Sequence, residues 1–249
     1  MHTKQTETVD IHALMQQLAV ERPIFHSEAD FQHALAWKIH ELHPEAGVRL
    51  EYPQLAGMIA EAYFWLHPEA GVRLEYPLPP AVGQHLDIAV FMSSQTIFIE
   101  LKYPSYVVKA AVGEELFSLK YHSAQDLGRK GFCIDIHRLE TLVDAVPGIT
   151  GYAVFLTNDP AYWVLPGTAA KGTNDRQFRI HDGRELRGPL TWGPFANDMA
   201  SDVNARVVPL KGRYTLKWHD YSKLSSSEGL GTFKYVCVDV TPFSNLQPT

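Results

Sequence analysis

Two hydrophobic periods divide the chain. Over residues 8–20, Ile11, Leu14, Met15 and Leu18 recur at helical spacing, and Pro23 ends the pattern. Ser27 and Asp30 then form a capping box, with Ser27 as N-cap and Asp30 at the third helical position. Phe31, Ala34, Leu35, Ile39 and Leu42 continue at helical spacing until Pro44 and Gly47. The period then changes to two. His85–Phe91 and Thr96–Lys102 read as strands rich in Ile, Val and Phe, joined by the connection 92–95. Residues 120–127 and 132–145 read as helices with a break at 128–131, and 151–157 as a buried strand. Further on the pattern weakens. Strands are expected at 177–180, 213–218 and 234–240, with polar or flexible loops at 167–176 and 225–231.

One feature disturbs this progression. Residues 42–53 read LHPEAGVRLEYP, and residues 66–77 repeat the same twelve letters. Two copies do not make a solenoid, which needs at least three. Only one VRLEY segment can fill a given strand position. The second copy leads directly into the strands that follow, so 72–76 is expected beside His85–Phe91. The first copy is then peripheral, and the apolar block 54–66 extends or adds a helix.

Composition narrows the class. The 249 residues are 45% hydrophobic and 20% charged, as in ordinary globular chains, and no apolar run has the length of a membrane helix. The start, MHTKQTETVD, lacks the apolar segment of a secretory signal. Two cysteines, Cys133 and Cys237, suit a reducing compartment, so a cytoplasmic location is expected. The formal charge of −6 excludes coating nucleic acid by bulk charge but leaves room for an enzyme whose carboxylates hold a metal. No linker separates two domains. A single domain over 1–249 is expected, with a core at about 27–157 and a variable C-terminal half at 158–249.

Strand alternation puts chemistry into the hairpin. If Phe91 meets Thr96, then Val90 meets Ile97, Ile88 meets Ile99 and Leu86 meets Leu101, apolar against apolar throughout. The same register sets Asp87 opposite Glu100, with Cβ atoms about 4.5–5.5 Å apart, and Lys102 on the same face. Facing carboxylates repel. A divalent cation compensates them, since Mg²⁺ takes one or two carboxylates plus water and substrate phosphate. A neighbouring ammonium stabilises a nucleophilic water or the charge developing on phosphate. The pattern describes a metal-dependent phosphodiester site.

Asp87 followed by Glu100-Leu101-Lys102 resembles the D…(D/E)-X-K motif of the PD-(D/E)XK, or restriction-endonuclease-like, nuclease superfamily. The stretches SEADFQHAL, HLDIAVF, IELKYP and FLTNDPAYW resemble an uncharacterised bacterial family within it. The resemblance implies an α/β (α+β) fold: a central mixed β-sheet flanked by helices, with additional C-terminal strands. It implies a Mg²⁺-dependent nuclease, with Mn²⁺ as a substitute, acting on DNA ahead of RNA, without membrane association and compatible with a homodimer. Asp87, Glu100 and the Leu101 carbonyl would hold the metal, and Lys102 would orient or activate water. Glu28 resembles the helix-borne glutamate of many members, and Gln125, Asp126 and Arg129 resemble polar residues that contact substrate. Leu86 stands where the motif's name has Pro, and the repeat lengthens the path from helix to strand.

Other readings stay open. Glu100 and Lys102 also suit a solvated strand face, Glu28 a dipole-favoured helix start, and Gln125 and Arg129 a solvated helix face. Glu75, or its twin Glu51, stands on the strand expected beside the site. No P-loop, nucleophile elbow or HExxH motif is present. Tyr162, Trp163, Trp192, Trp218 and Tyr221 suit base stacking or, better, core packing. The rival functions are a catalytically silent nucleic-acid-binding module and an interaction subunit of a bacterial defence or mobile-element system.

Overall fold

The computed structural model describes residues 9–53, 85–93, 95–145, 147–167, 173–194 and 207–242. Helix α1 (Ile11–Glu21) buries Ile11, Leu14, Met15 and Leu18, the stripe expected from their spacing, and Asp10 caps it by accepting the Ala13 N–H at 3.1 Å. Helix α2 (Glu28–Leu42) starts at the expected box: Ser27 Oγ accepts the Asp30 N–H at 3.1 Å. Asp30 also accepts the His26 N–H at 2.9 Å and pairs with Arg22 through both oxygens.

Six strands build the central sheet in the order β1 (Gly47–Pro53), β2 (His85–Phe91), β3 (Thr96–Lys102), β6 (Ile149–Thr157), β11 (Thr232–Val240), β9 (Trp218–Lys223). All neighbours are antiparallel except β3 and β6. The fold is therefore mixed α/β, with strands from the C-terminal half completing the sheet. One face packs Ile88, Val90, Ile97, Ile99 and Leu101 against α1 and α2. The other packs Ala89, Phe98, Ala153 and Phe155 against Phe132, Ile136 and Leu139 of α3 (Gln125–Ala145). Two small sheets lie beside it, one of β4 (Val108–Val112), β5 (Glu115–Leu119) and β10 (Ser226–Gly229), the other of β7 (Glu185–Thr191) and β8 (Val207–Thr215). No described helix is long and apolar enough to cross a membrane.

Several expectations are corrected. The first repeat copy, not the second, fills the strand position beside β2, with Leu50 opposite Ile88 and Tyr52 opposite Leu86. Both copies offer the same residues to β2. The first lies a short turn after α2, and α2 packs directly on β1. The second copy and the block 54–66 lie outside the described residues.

Helix α3 is also unbroken through Gly128 and Gly131. These glycines serve close packing: a Cβ on Gly128 would stand 2.7 Å from the Tyr162 hydroxyl, and one on Gly131 3.7 Å from Lys102 Cε. The stretch 120–124 is not helical. In the C-terminal half, a 3-10 turn (Arg176–Phe178) stands where a strand was expected at 177–180. Residues 213–218 bridge β8 and β9, and the loop 225–231 contains β10. The hairpin β4–β5, with Gly113 at φ 61° in its turn, and strand β7 were not anticipated.

Candidate active site at the open end of a hairpin

The β2–β3 hairpin has the expected register, with Phe91 opposite Thr96, Val90 opposite Ile97 and Ile88 opposite Ile99. The ladder stops there. One step further, at Asp87 and Glu100, the strands part, and the Asp87 carboxylate accepts the Leu101 N–H at 2.6 Å. Leu86 leaves the Ile88 face expected for it and packs with Ala89 and Phe98. Asp87 thus lies where β2 turns over, and a side chain replaces the lost backbone bond. The N–H and C=O of one strand residue point to the same edge. The Leu101 carbonyl therefore faces this opening too, where it accepts from Lys102 Nζ at 3.2 Å.

Helix α2 holds both prongs of the fork. Glu28, in its first turn, accepts the Tyr103 N–H just beyond β3 at 2.7 Å. Gln32, four residues on and so on the same helix face, donates to the Asp87 carbonyl at 2.6 Å. Glu28 stays exposed as a residue, yet its carboxyl is crowded by protein. That burial holds its pKa above the usual glutamate value, with Lys102 and the Tyr103 N–H pulling the other way. In register, Glu51 of β1 stands between the Leu50–Ile88 and Tyr52–Leu86 pairs, level with Asp87 of β2.

Helix α3 completes the cluster with two residues that the sequence reading missed. Asp135 Oδ2 lies 3.0 Å from Lys102 Nζ. Arg138, one turn on, reaches Glu100 at 3.2 Å and Asp135 at 3.5 Å. The available signal was a charged residue on the buried stripe Phe132, Cys133, Ile136, Leu139. Glu100 is 2% exposed. Burial, together with the neighbouring Asp135, pushes its pKa up to about 9 despite Arg138. Asp135, also buried, is pushed up to about 6, again chiefly by desolvation and against the pull of Lys102. Burial opposes the charge on Lys102. Asp135, Glu28 and Asp87 outweigh it and hold its pKa above the ordinary lysine value. Lys102 is therefore a cation here, suited to orienting water or phosphate rather than to taking a proton.

The structure thus gathers Glu28, Asp87, Glu100, Leu101 and Lys102. It sends Gln125 and Arg129 elsewhere. Arg129 is buried against Asp175 at 2.6 Å and bonds the Ala161 carbonyl at 2.8 Å, so it is not a solvated helix residue. Gln125 donates to the Tyr121 hydroxyl and to Asp159. Asp126 turns back to the Leu127 N–H. Tyr162, Trp218 and Tyr221 are core residues.

Among the described residues no three His, Cys, Asp or Glu side chains converge as a ready-made ligand set. Mg²⁺ does not need one, because it keeps several waters and takes one or two carboxylates plus substrate. Asp87, Glu100 and the Leu101 carbonyl are hard oxygen donors at one opening, with more carboxyl groups than cations around them. They fit such an ion. No protein-family model, curated protein or solved structure matches this chain.

Proposed function

We propose that the chain is a metal-dependent phosphodiesterase acting on nucleic acid, DNA ahead of RNA, built on a restriction-endonuclease-like core over about residues 27–157. The observation that carries this reading is the open end of the β2–β3 hairpin. There Asp87, Glu100 and Lys102 meet beside the buried Asp135 and its partner Arg138. Apart from the hairpin β4–β5 inserted after β3, the order α2, β1, β2, β3, α3, β6 supports the finer fold assignment.

In this reading Asp87, Glu100 and the Leu101 carbonyl hold Mg²⁺ or Mn²⁺. When bound, the ion supplies Lewis-acid stabilisation of the phosphate charge and a more acidic water. The chain's own groups do the rest. Lys102, kept charged by Asp135, orients the water or a phosphate oxygen. Arg138 balances Glu100 and Asp135 before substrate arrives. Glu28 and Gln32 hold the fork open by occupying the Tyr103 N–H and the Asp87 carbonyl.

The test is cleavage of plasmid, linear duplex and single strand with Mg²⁺ or Mn²⁺, wild type beside Asp87→Ala. Metal-dependent cutting by the wild type alone is expected. Equal cutting by both proteins, or none by either, overturns the proposal. One observation favours a second reading, a silent binding module. Asp87 and Glu100 already have partners in Leu101 and Arg138, and no complete ligand set is preformed. Calorimetric titration with Mg²⁺ separates the two, because a silent module takes up no ion at Asp87.

A further inference from the structure

Tyr103, Tyr162, Tyr221 and Tyr235 are buried, whereas Tyr106 and Tyr121 are 37% and 44% exposed and lie together, ring centroids 4.8 Å apart at 59°. Both are held firmly from behind. The buried Asn158 accepts the Tyr106 N–H at 2.7 Å, and its amide donates to the carbonyls of Tyr106 and Leu230. Gln125 donates to the Tyr121 hydroxyl while also bonding Asp159. The pair is therefore an exposed aromatic surface on a fixed mount.

Its position ties it to the acidic cluster. Tyr106 follows Ser105 and Tyr121 precedes His122, and those two neighbours are joined: Ser105 N–H donates to His122 Nδ1 at 3.0 Å, and His122 N–H donates to the Ser105 carbonyl at 2.8 Å. Along the chain, Tyr106 lies three residues beyond Tyr103, whose N–H holds Glu28. Their Cα atoms are at most about 10 Å apart.

We propose that Tyr106 and Tyr121 form a stacking platform for an unpaired base, so that the preferred ligand is single-stranded nucleic acid. An aromatic ring stacks on the face of a base, and that face is covered inside a duplex and free in a single strand. Stacking tolerates any base, so the platform sets strandedness rather than sequence. The strand identity rests on the nuclease reading. The platform itself rests on the two rings and their mount. Gln125 then serves substrate through Tyr121, as a positioning residue.

The test measures fluorescence anisotropy of a labelled oligothymidylate and of a blunt duplex. It uses Asp87→Ala protein to prevent cutting, with and without Tyr106→Ala/Tyr121→Ala, and with Tyr106→Phe/Tyr121→Phe as the conservative pair. The alanine pair should weaken single-strand binding about 10-fold or more, and the phenylalanine pair, which keeps both rings but loses the Gln125 bond to Tyr121, should weaken it less. Duplex binding should be the weaker and unchanged by either. Equal single-strand binding by the alanine pair, no single-strand binding by the parent, or an equal loss for duplex overturns the platform. Cutting assays on proteins with Asp87 intact keep the two proposals apart. Ring-dependent binding without metal-dependent cutting removes the hydrolysis and leaves the platform. Cutting of single strands at an unchanged KM after both alanine substitutions removes the platform and leaves the hydrolysis.

Discussion

Helix α3 carries two buried acids five residues apart, and the chain treats them in opposite ways. Glu140 is fully buried and saturated. It accepts the Lys211 N–H at 3.0 Å, the Gly212 N–H at 2.7 Å and the Tyr214 hydroxyl at 2.9 Å, bonding α3 to β8. Glycine at 212 makes room, since a Cβ there would lie 2.5 Å from that hydroxyl. Asp135 faces the fork instead, where four carboxyl groups (Glu28, Asp87, Glu100, Asp135) share Lys102 and Arg138. A carboxylate surrounded by backbone donors is structural; clustered carboxyl groups that share few cations retain affinity for another cation.

The largest expected contrast is in stability. Glu140→Ala strands two backbone N–H groups and a hydroxyl, and should cost about 3–5 kcal/mol. Glu100→Gln removes a repelled carboxyl and should leave metal-free stability within about 1 kcal/mol of wild type or above it. Denaturant melts of the two variants measure this, and similar losses would erase the distinction. The Mg²⁺ response sharpens it. At ten times Kd the ion should stabilise wild type and Glu140→Gln alike by about 1.4 kcal/mol, while Glu100→Gln should gain little and cut nothing. An equal gain in all three places the ion elsewhere.

The pH dependence comes next. Because the folded protein raises the Glu100 pKa to about 9, the associated stability is fully present below the unfolded value near 4.5. It is lost as pH rises through 9, with a slope of at most about 1.4 kcal/mol per pH unit. Asp135 adds a smaller loss as pH passes about 6. Metal-free wild type should therefore weaken relative to Glu100→Gln between pH 5 and 9, and parallel curves would count against a neutral Glu100. The smallest effect is expected at Asp135→Asn. Removing its charge loosens Lys102 and lowers the lysine pKa. Cutting should fall about 10-fold in kcat with little change in KM, and the Lys102 titration followed by NMR should move down. An unmoved lysine would show that Asp135 does not position it.

Much of this site was legible in the sequence because it depends on local periodicity. The capping box at Ser27 and Asp30 and the register from Phe91–Thr96 to Ile88–Ile99 all appear as expected. The register is strongly specified because a one-residue slip would reverse every side chain between the two cores. Gln32 was not legible, and Asp135 and Arg138 gave only the signal of charges beside a buried helical stripe. Each is an ordinary polar residue on its helix and acquires its role only from the strand packed against it. The burial of Arg129 was not legible for the converse reason: its partner Asp175 lies 46 residues away in the loop before the 3-10 turn.

The sequence by itself determined the two helices before the sheet and the hairpin register from Phe91–Thr96 to Ile88–Ile99, because spacing along one element dictates which residues share a face. Tertiary structure alone decided where the ladder stops and which acids share a cation. It also decided which copy of LHPEAGVRLEYP pairs with β2. Identical residues offer β2 identical side chains and backbone bonds. The choice therefore falls to chain connection, and the copy one turn after α2, with α2 packed on it, is the one in the sheet.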